Sequence, residues 1–264
     1  MAWSEVPDNE FVTWFPRMPN DFEGDQLVNA LRLKGGQENL PEFPRWLCFG
    51  TSGQVDLVSV PWAWWGTERA DDDEIRFLYD RVRSSSASRK SRGYLNLSLQ
   101  DHRWFGLIEF LASDRLSRAS EAFDAFLRAD LPELALYGKV QKPLTAVAGG
   151  IVLITQAKNT ERQEWDNWLE NLSNWFPGIP DGPILLGCRQ VQSASNIDDL
   201  TVAFNNLHEG YARGIPFFSA SIRMLDMALA QIGSDISDAD KYRREISFVL
   251  SRVDPGQPST VIRL

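Results

Sequence analysis

At 264 residues the chain is long enough to bury a core without disulfide or metal staples, and 43% hydrophobic with 24% charged residues is ordinary globular composition. A formal net charge of −9, from 36 acidic and 27 basic residues, repels a long polyanion and disfavours nucleic acid as a partner. Two distant cysteines, Cys48 and Cys188, suit a reducing compartment, and no apolar run approaches bilayer-spanning length, so a cytoplasmic chain without membrane contact is expected.

The opening "MAWSEVPDNEF" lacks the basic start and apolar stretch of a secretory leader. "RWLCFG" and "QVDLVSVPWAWWG" are rich in Val, Leu and aromatics and close on glycine, as turn-bounded strands do. Trp62, Trp64 and Trp65 cannot all point to one face of a strand, so indole surface is left for a partner to cover or for the helices to bury. In "DDDEIRFLYDRVR" acidic residues lead and arginines follow, an order that complements a helix dipole and predicts a helix. The run from Asp71 to Glu74 caps that helix in this reading, because it lacks the spaced oxygen ligands of a calcium loop. The serine-rich basic stretch over 81–92 reads as a solvated loop. "GYLNLSLQ" separates Tyr94, Asn96 and Ser98 from Leu95, Leu97 and Leu99, the clearest period of two in the chain.

From about residue 102 the period lengthens. Leu116, Ala119, Phe123, Phe126 and Leu127 recur at helical spacing. So do Trp165, Trp168, Leu169, Leu172, Trp175 and Phe176, and later Leu200, Ala203, Phe204 and Leu207. "PFFSASIRMLDMALAQIG" has proline at its entrance and glycine at its exit, "DADKYRREISFVLSRV" gives one more helix, and a loose tail is expected from Asp254. Short breaks join these helices, so neighbours should run antiparallel. The predicted fold is α+β: a mixed strand and helix portion over residues 1–100, then a predominantly α-helical hairpin array over 101–264. The array is tetratricopeptide-like in organisation, without that repeat's signature residues at fixed period.

Between these helices, "YGKVQKPLTAVAGGIVLI" carries a Gly-Lys and a Gly-Gly. A phosphate loop needs a glycine five residues ahead of Gly138, a Ser or Thr after Lys139 and a preceding strand, and the sequence offers none of these. Pro143 instead suits the first turn of a helix, and Gly149-Gly150 inside it predicts close approach of another helix. Nucleophilic chemistry has few candidates. "GCRQ" lacks the flanking residues of a caspase nucleophile turn, Cys48 and Cys188 sit among Leu and Phe as core cysteines, and His208 lies near a helix end where carbonyls can satisfy it. His102 and His208 are the only histidines, and no cluster with metal-ligand spacing occurs. No nucleophile elbow or dinucleotide fingerprint is found either. No catalytic residue, cofactor or metal is therefore expected.

Three segments, "GKVQKPLTAVAGGIVLI", "WDNWLENLSNWFPGIPDGPIL" and "YARGIPFFSASIRMLDMAL", resemble in that order an incompletely characterised helical region of bacterial proteins. The likeness extends over roughly residues 93 to 230 and includes "WFGLIEFLASDRLSRASEAF". The resemblance implies a region found beside caspase-like and trypsin-like peptidases in conflict or defence gene clusters, with no catalytic residue to carry over. The expectation is a non-catalytic adaptor, regulator or proteolytic target of such a peptidase, with Trp62, Trp64 and Trp65 as partner-binding residues. Two alternatives stand beside it: a nucleic-acid-sensing accessory protein using the basic 81–92 loop, and a cryptic thiol hydrolase.

Overall fold

The computed structural model describes residues 28–34, 45–51, 54–61, 74–80, 94–100, 104, 107, 111, 130–157 and 161–263. Six strands lie within them: β1 (Val28–Lys34), β2 (Arg45–Thr51), β3 (Gln54–Val60), β4 (Glu74–Asp80), β5 (Tyr94–Gln100) and β6 (Val261–Arg263). They form two antiparallel three-stranded sheets, ordered β1-β4-β5 and β2-β3-β6. The strands expected at "RWLCFG", "QVDLVSV" and "GYLNLSLQ" are β2, β3 and β5.

The helix expected in "DDDEIRFLYDRVR" is corrected: the described part, Glu74–Asp80, is the central strand of its sheet. Ile75 pairs with Leu33 on one side and Leu99 on the other, and its side chain is fully buried. Ile75, Phe77 and Tyr79 alternate with Arg76, Leu78 and Asp80, a period of two. Pairing along both edges satisfies every backbone group there, which outweighs a charge order worth a few tenths of a kcal/mol to about 1 kcal/mol at a helix end.

Seven helices follow among the described residues: α1 (Leu131–Tyr137), α2 (Pro143–Gln156), α3 (Glu164–Trp175), α4 (Asp181–Ser193), α5 (Ile197–Arg213), α6 (Ser219–Ile232) and α7 (Ala239–Leu250). The architecture is α+β and mostly helical. Helix α4 is the hub, packed against α2, α3, α5 and α6, and every residue from Asp181 to Arg189 is buried. Small residues allow this crowding. A Cβ on Gly187 would meet the Leu207 side chain at 2.7 Å and the Ala203 carbonyl at 2.9 Å, and one on Gly210 would meet Ile184 at 2.5 Å, so α4 and α5 approach through reciprocal glycines.

The glycine pair in α2 has the same purpose. A Cβ on Gly149 would lie 2.5 Å from the Pro132 carbonyl oxygen and 3.1 Å from the Leu136 nitrogen, both backbone atoms of α1. One on Gly150 would meet only the side-chain ends of Leu185 and Leu169, at 3.0 and 3.1 Å. Pro143 opens α2 at its first turn, and the segment ahead of it is α1 and a 3-10 turn (Gly138–Val140) where a phosphate loop requires a strand.

Two joints tie the helices to each other. The Asp181 carboxylate, fully buried at the start of α4, accepts the Phe217 amide at 2.8 Å and the Phe218 amide at 3.1 Å. The Arg213 guanidinium donates to the carbonyls of Ser173 and Phe176 at 2.9 and 3.3 Å, closing the C-terminal end of α3. Gly214 follows with φ 126°, a conformation that glycine adopts without strain.

The loose tail expected from Asp254 is also corrected. Residues 257–262 are buried, and backbone bonds hold them: Thr260 donates to the Phe217 carbonyl at 2.7 Å and Ser219 to the Pro258 carbonyl at 2.9 Å. β6 then pairs with β3, bringing residues from both sides of position 100 into one sheet. Val261 and Ile262 supply the apolar burial, and Asp254 pairs with Arg263 across the turn.

Two substitutions test this packing. Gly149→Ala should destabilise the chain by about 2 kcal/mol through backbone overlap, whereas Gly150→Ala, meeting flexible leucine ends and gaining helix propensity, should be near neutral in urea denaturation. Asp181→Ala should cost about 3 kcal/mol by stranding two buried amides, and Asp181→Asn, which retains one acceptor oxygen, should cost less in the same assay.

Candidate functional site

Helix α1 presents Leu134 and Tyr137 three residues apart, and therefore side by side, on the face opposite Ala135 and Leu136, which are buried. The 3-10 turn that follows carries Lys139 toward Trp168 and Trp175 of α3 and leaves Val140 exposed. On α3, Trp168 and Trp175 are two turns apart on one face. The result is a corner with an apolar rim: Leu134 is 47% exposed, Tyr137 65%, Val140 39% and Trp175 55%. Tyr137 meets half-buried Trp168 edge-on, with ring centroids 5.2 Å apart.

Lys139 lies at the centre of this corner and is only 4% exposed. Its ammonium nitrogen is 5.5 Å from the Trp175 ring centroid, 5.9 Å from that of Tyr137 and 6.0 Å from that of Trp168. These are cation–π distances, and the ring faces partly replace lost hydration. Among the described residues the ammonium's contacts are these three ring faces. Burial holds its pKa below the usual lysine value of 10.5. The corner is thus an aromatic cup with a cation at its base.

The other buried charges are occupied within the fold. Arg189 pairs with Asp166 at 2.9 Å, donates to the Glu161 carbonyl at 2.6 Å and stacks over Trp165 at 5.0 Å. Asp166 also accepts the Gln163 amide at 2.8 Å, completing a capping box at the start of α3. Burial pushes the Asp181 carboxyl above its usual range, and the amides of Phe217, Phe218 and Asp181, with the nearby Ser221 hydroxyl, pull the other way. The Ser221 hydroxyl stands outside ordinary hydrogen-bond geometry.

Of the residues considered for nucleophilic chemistry, Cys188 and His208 fall among the described side chains, and they are not brought together. Cys188 is buried on α4, and desolvation pushes its thiol pKa up to about 12. His208 is exposed on α5, where its ring lies 4.9 Å from Tyr242 and 6.3 Å from Phe204 and from Tyr211, in place of the helix-end carbonyls expected for it. Among the described residues no hydrogen bond joins the two, and no group of three His, Cys, Asp or Glu side chains is placed to hold a metal ion. No helix among them is long and apolar enough to cross a membrane. The side chain of Cys48, His102, the partner-binding candidates Trp62, Trp64 and Trp65, and the 81–92 loop lie outside the described residues.

Sequence periodicity assigns Trp175 to the buried face of α3 together with Trp165, Leu169 and Leu172. The structure buries those three and exposes Trp175. Lys139 is missed because a lysine beside a glycine reads as solvated. The available signal was the pairing of Tyr137 with Lys139 on a turn facing a tryptophan-rich helix.

A labelling experiment checks the thiol. Iodoacetamide at pH 8 should leave the Cys188 peptide unmodified in the native chain and alkylate it fully in denaturant, read by mass spectrometric peptide mapping, because almost none of a thiol with pKa near 12 is thiolate at that pH. Rapid native alkylation would contradict the buried environment.

Comparison with known proteins places most of this helical portion in one family. No curated protein and no solved structure matches the chain. The Y4kD C-terminal domain matches residues 106–259, which contain α1 to α7, the Asp181 and Arg213 joints and the Lys139 corner. By that match, covering more than half of its length, the chain belongs to the Y4kD C-terminal domain family.

Proposed function

We propose that this chain is a non-catalytic protein-binding module, an adaptor, regulator or cleavable target, partnered with a caspase-like peptidase in bacterial antiviral defence. Its helices act as a tetratricopeptide-like hairpin array that holds out a docking face. The observation that carries this reading is the exposed corner of Leu134, Tyr137, Val140 and Trp175 around Lys139. Two large aromatics more than half exposed beside two exposed aliphatics form the kind of rigid apolar anchor that supplies binding energy at protein interfaces. The resemblance of the three helical segments to a region found beside peptidases supplies the partner class. The signature residues of those segments support the same reading, because Gly149, Asp181 and Arg213 are engaged in holding helices together.

Co-expression with the peptidase encoded beside the chain should give a stable complex on size-exclusion chromatography or a single discrete cleavage product. The Tyr137→Ala/Trp175→Ala double variant should weaken the complex at least tenfold while its melting temperature stays within about 2 °C of the parent, since both side chains are exposed. Neither complex nor cleavage, or undiminished binding by the variant, would refute the proposal.

A further inference from the structure

Lys139 is the one buried charge in the helical portion that finds no counter-charge or hydrogen bond among the described residues. Lysine is rarely buried without a partner, and three ring faces at 5.5 to 6.0 Å are a weak substitute for hydration. The ammonium lies beneath the exposed rings of Tyr137 and Trp175, so an anion that enters between them reaches it. We propose that this corner binds a side-chain carboxylate of an internal peptide segment of its protein partner, with apolar residues on both sides of the acid packing against the rim. The inference rests on the protein-docking reading above and specifies what the docked segment carries.

Two features select this occupant. A single ammonium matches a single carboxylate, whereas a phosphate group is ordinarily met by several donors or by the fork of an arginine. The rim is apolar on both sides of the cation, Leu134 and Tyr137 from α1 and Trp175 from α3, which fits an acid inside a peptide better than one at its end. The chain's net charge of −9 opposes an acidic partner at long range, so the attraction is confined to the Lys139 ammonium itself. Burial that disfavours the free ammonium is relieved when a carboxylate arrives, and contact and charge reinforce each other in a site that water leaves.

The test uses the full chain and two dye-labelled capped peptides, Gly-Leu-Asp-Phe-Gly amide and its Asn counterpart, followed by fluorescence anisotropy. The aspartyl peptide should bind about tenfold more tightly than the asparaginyl one, the difference expected for a hydrogen bond to a charged partner. Lys139→Met, which keeps the apolar stem and removes the charge, should erase the difference between the two peptides. Equal affinities, no binding of the aspartyl peptide at millimolar concentration, or a preference that survives Lys139→Met would each overturn the inference. The two proposals fail separately. If Tyr137→Ala/Trp175→Ala abolishes the peptidase complex and Lys139→Met does not weaken it, docking stands and the carboxylate falls. If the peptides discriminate but no peptidase binds, the site chemistry stands and the partner class falls.

Discussion

The buried carboxylate of Asp181 is the contact on which the helical portion depends. It fixes the first turn of the hub helix α4 to the amides of Phe217 and Phe218, just ahead of α6. From there a relay of backbone bonds continues outward. The Phe217 carbonyl accepts the Thr260 amide, Ser219 donates to Pro258, Asp254 donates to Val261, and β6 joins β3. One side chain thus positions a loop, the loop orders the C-terminal segment, and that segment attaches the helices to a sheet from the first hundred residues. Burial raises the Asp181 carboxyl above its usual range, and the amides of Phe217 and Phe218 offset part of that cost. This arrangement keeps a polar carboxyl inside a core only while the segments that bond to it are in place, which makes the joint cooperative by construction.

Burial of charge follows different rules at three places in this fold. Arg189 is satisfied by a carboxylate, a carbonyl and an indole face, and its removal would leave Asp166 to cap α3 alone. Asp181 is satisfied by amides. Lys139 has ring faces only. The first two are explained by what they hold together, since each joins segments more than twenty residues apart. Lys139 lies on a short turn, two residues from Tyr137, and joins α1 to α3 through ring contacts alone. A merely structural residue at that position would be better served by methionine or leucine, which fill the same volume without desolvating an ammonium. Among the described residues, nothing but those ring faces accounts for the charge.

The helices were legible because their apolar spacing and their stop signals agree. Pro143 opens α2, Gly233 with φ 48° closes α6, and Ala203 and Leu207 are buried on α5 as their spacing predicts. The Gly149-Gly150 pair was legible as close packing because glycine in a helix interior needs compensation, and the Pro132 carbonyl supplies the reason. What was not legible depends on contacts remote in sequence. β4 is a strand because β1 and β5 flank it, and residues 257–262 are buried because Phe217 and Ser219 offer them bonds from some forty residues away. Trp175 fits the helical period of its neighbours, but it is the last residue of α3 and is left exposed at that end. Periodicity reports which face a residue occupies, and it carries no information about how far along the helix the neighbouring layer extends.

The same packing determines what kind of surface the corner can be. The contact of Gly149 with the backbone of α1 draws α1 against α2, and Leu169 and Leu185 close over Gly150 from α3 and α4. Tyr137, Lys139 and Trp175 are therefore mounted on backbones that interlock through glycine. Tyr and Trp have few side-chain torsions to immobilise, and Tyr137 is already braced against Trp168. A partner docking there orders little that is not ordered already, and the entropy that commonly consumes the gain from burying an exposed aromatic is small. The glycines of a segment that fails as a phosphate loop thus act in the structure as the reason an aromatic surface is rigid.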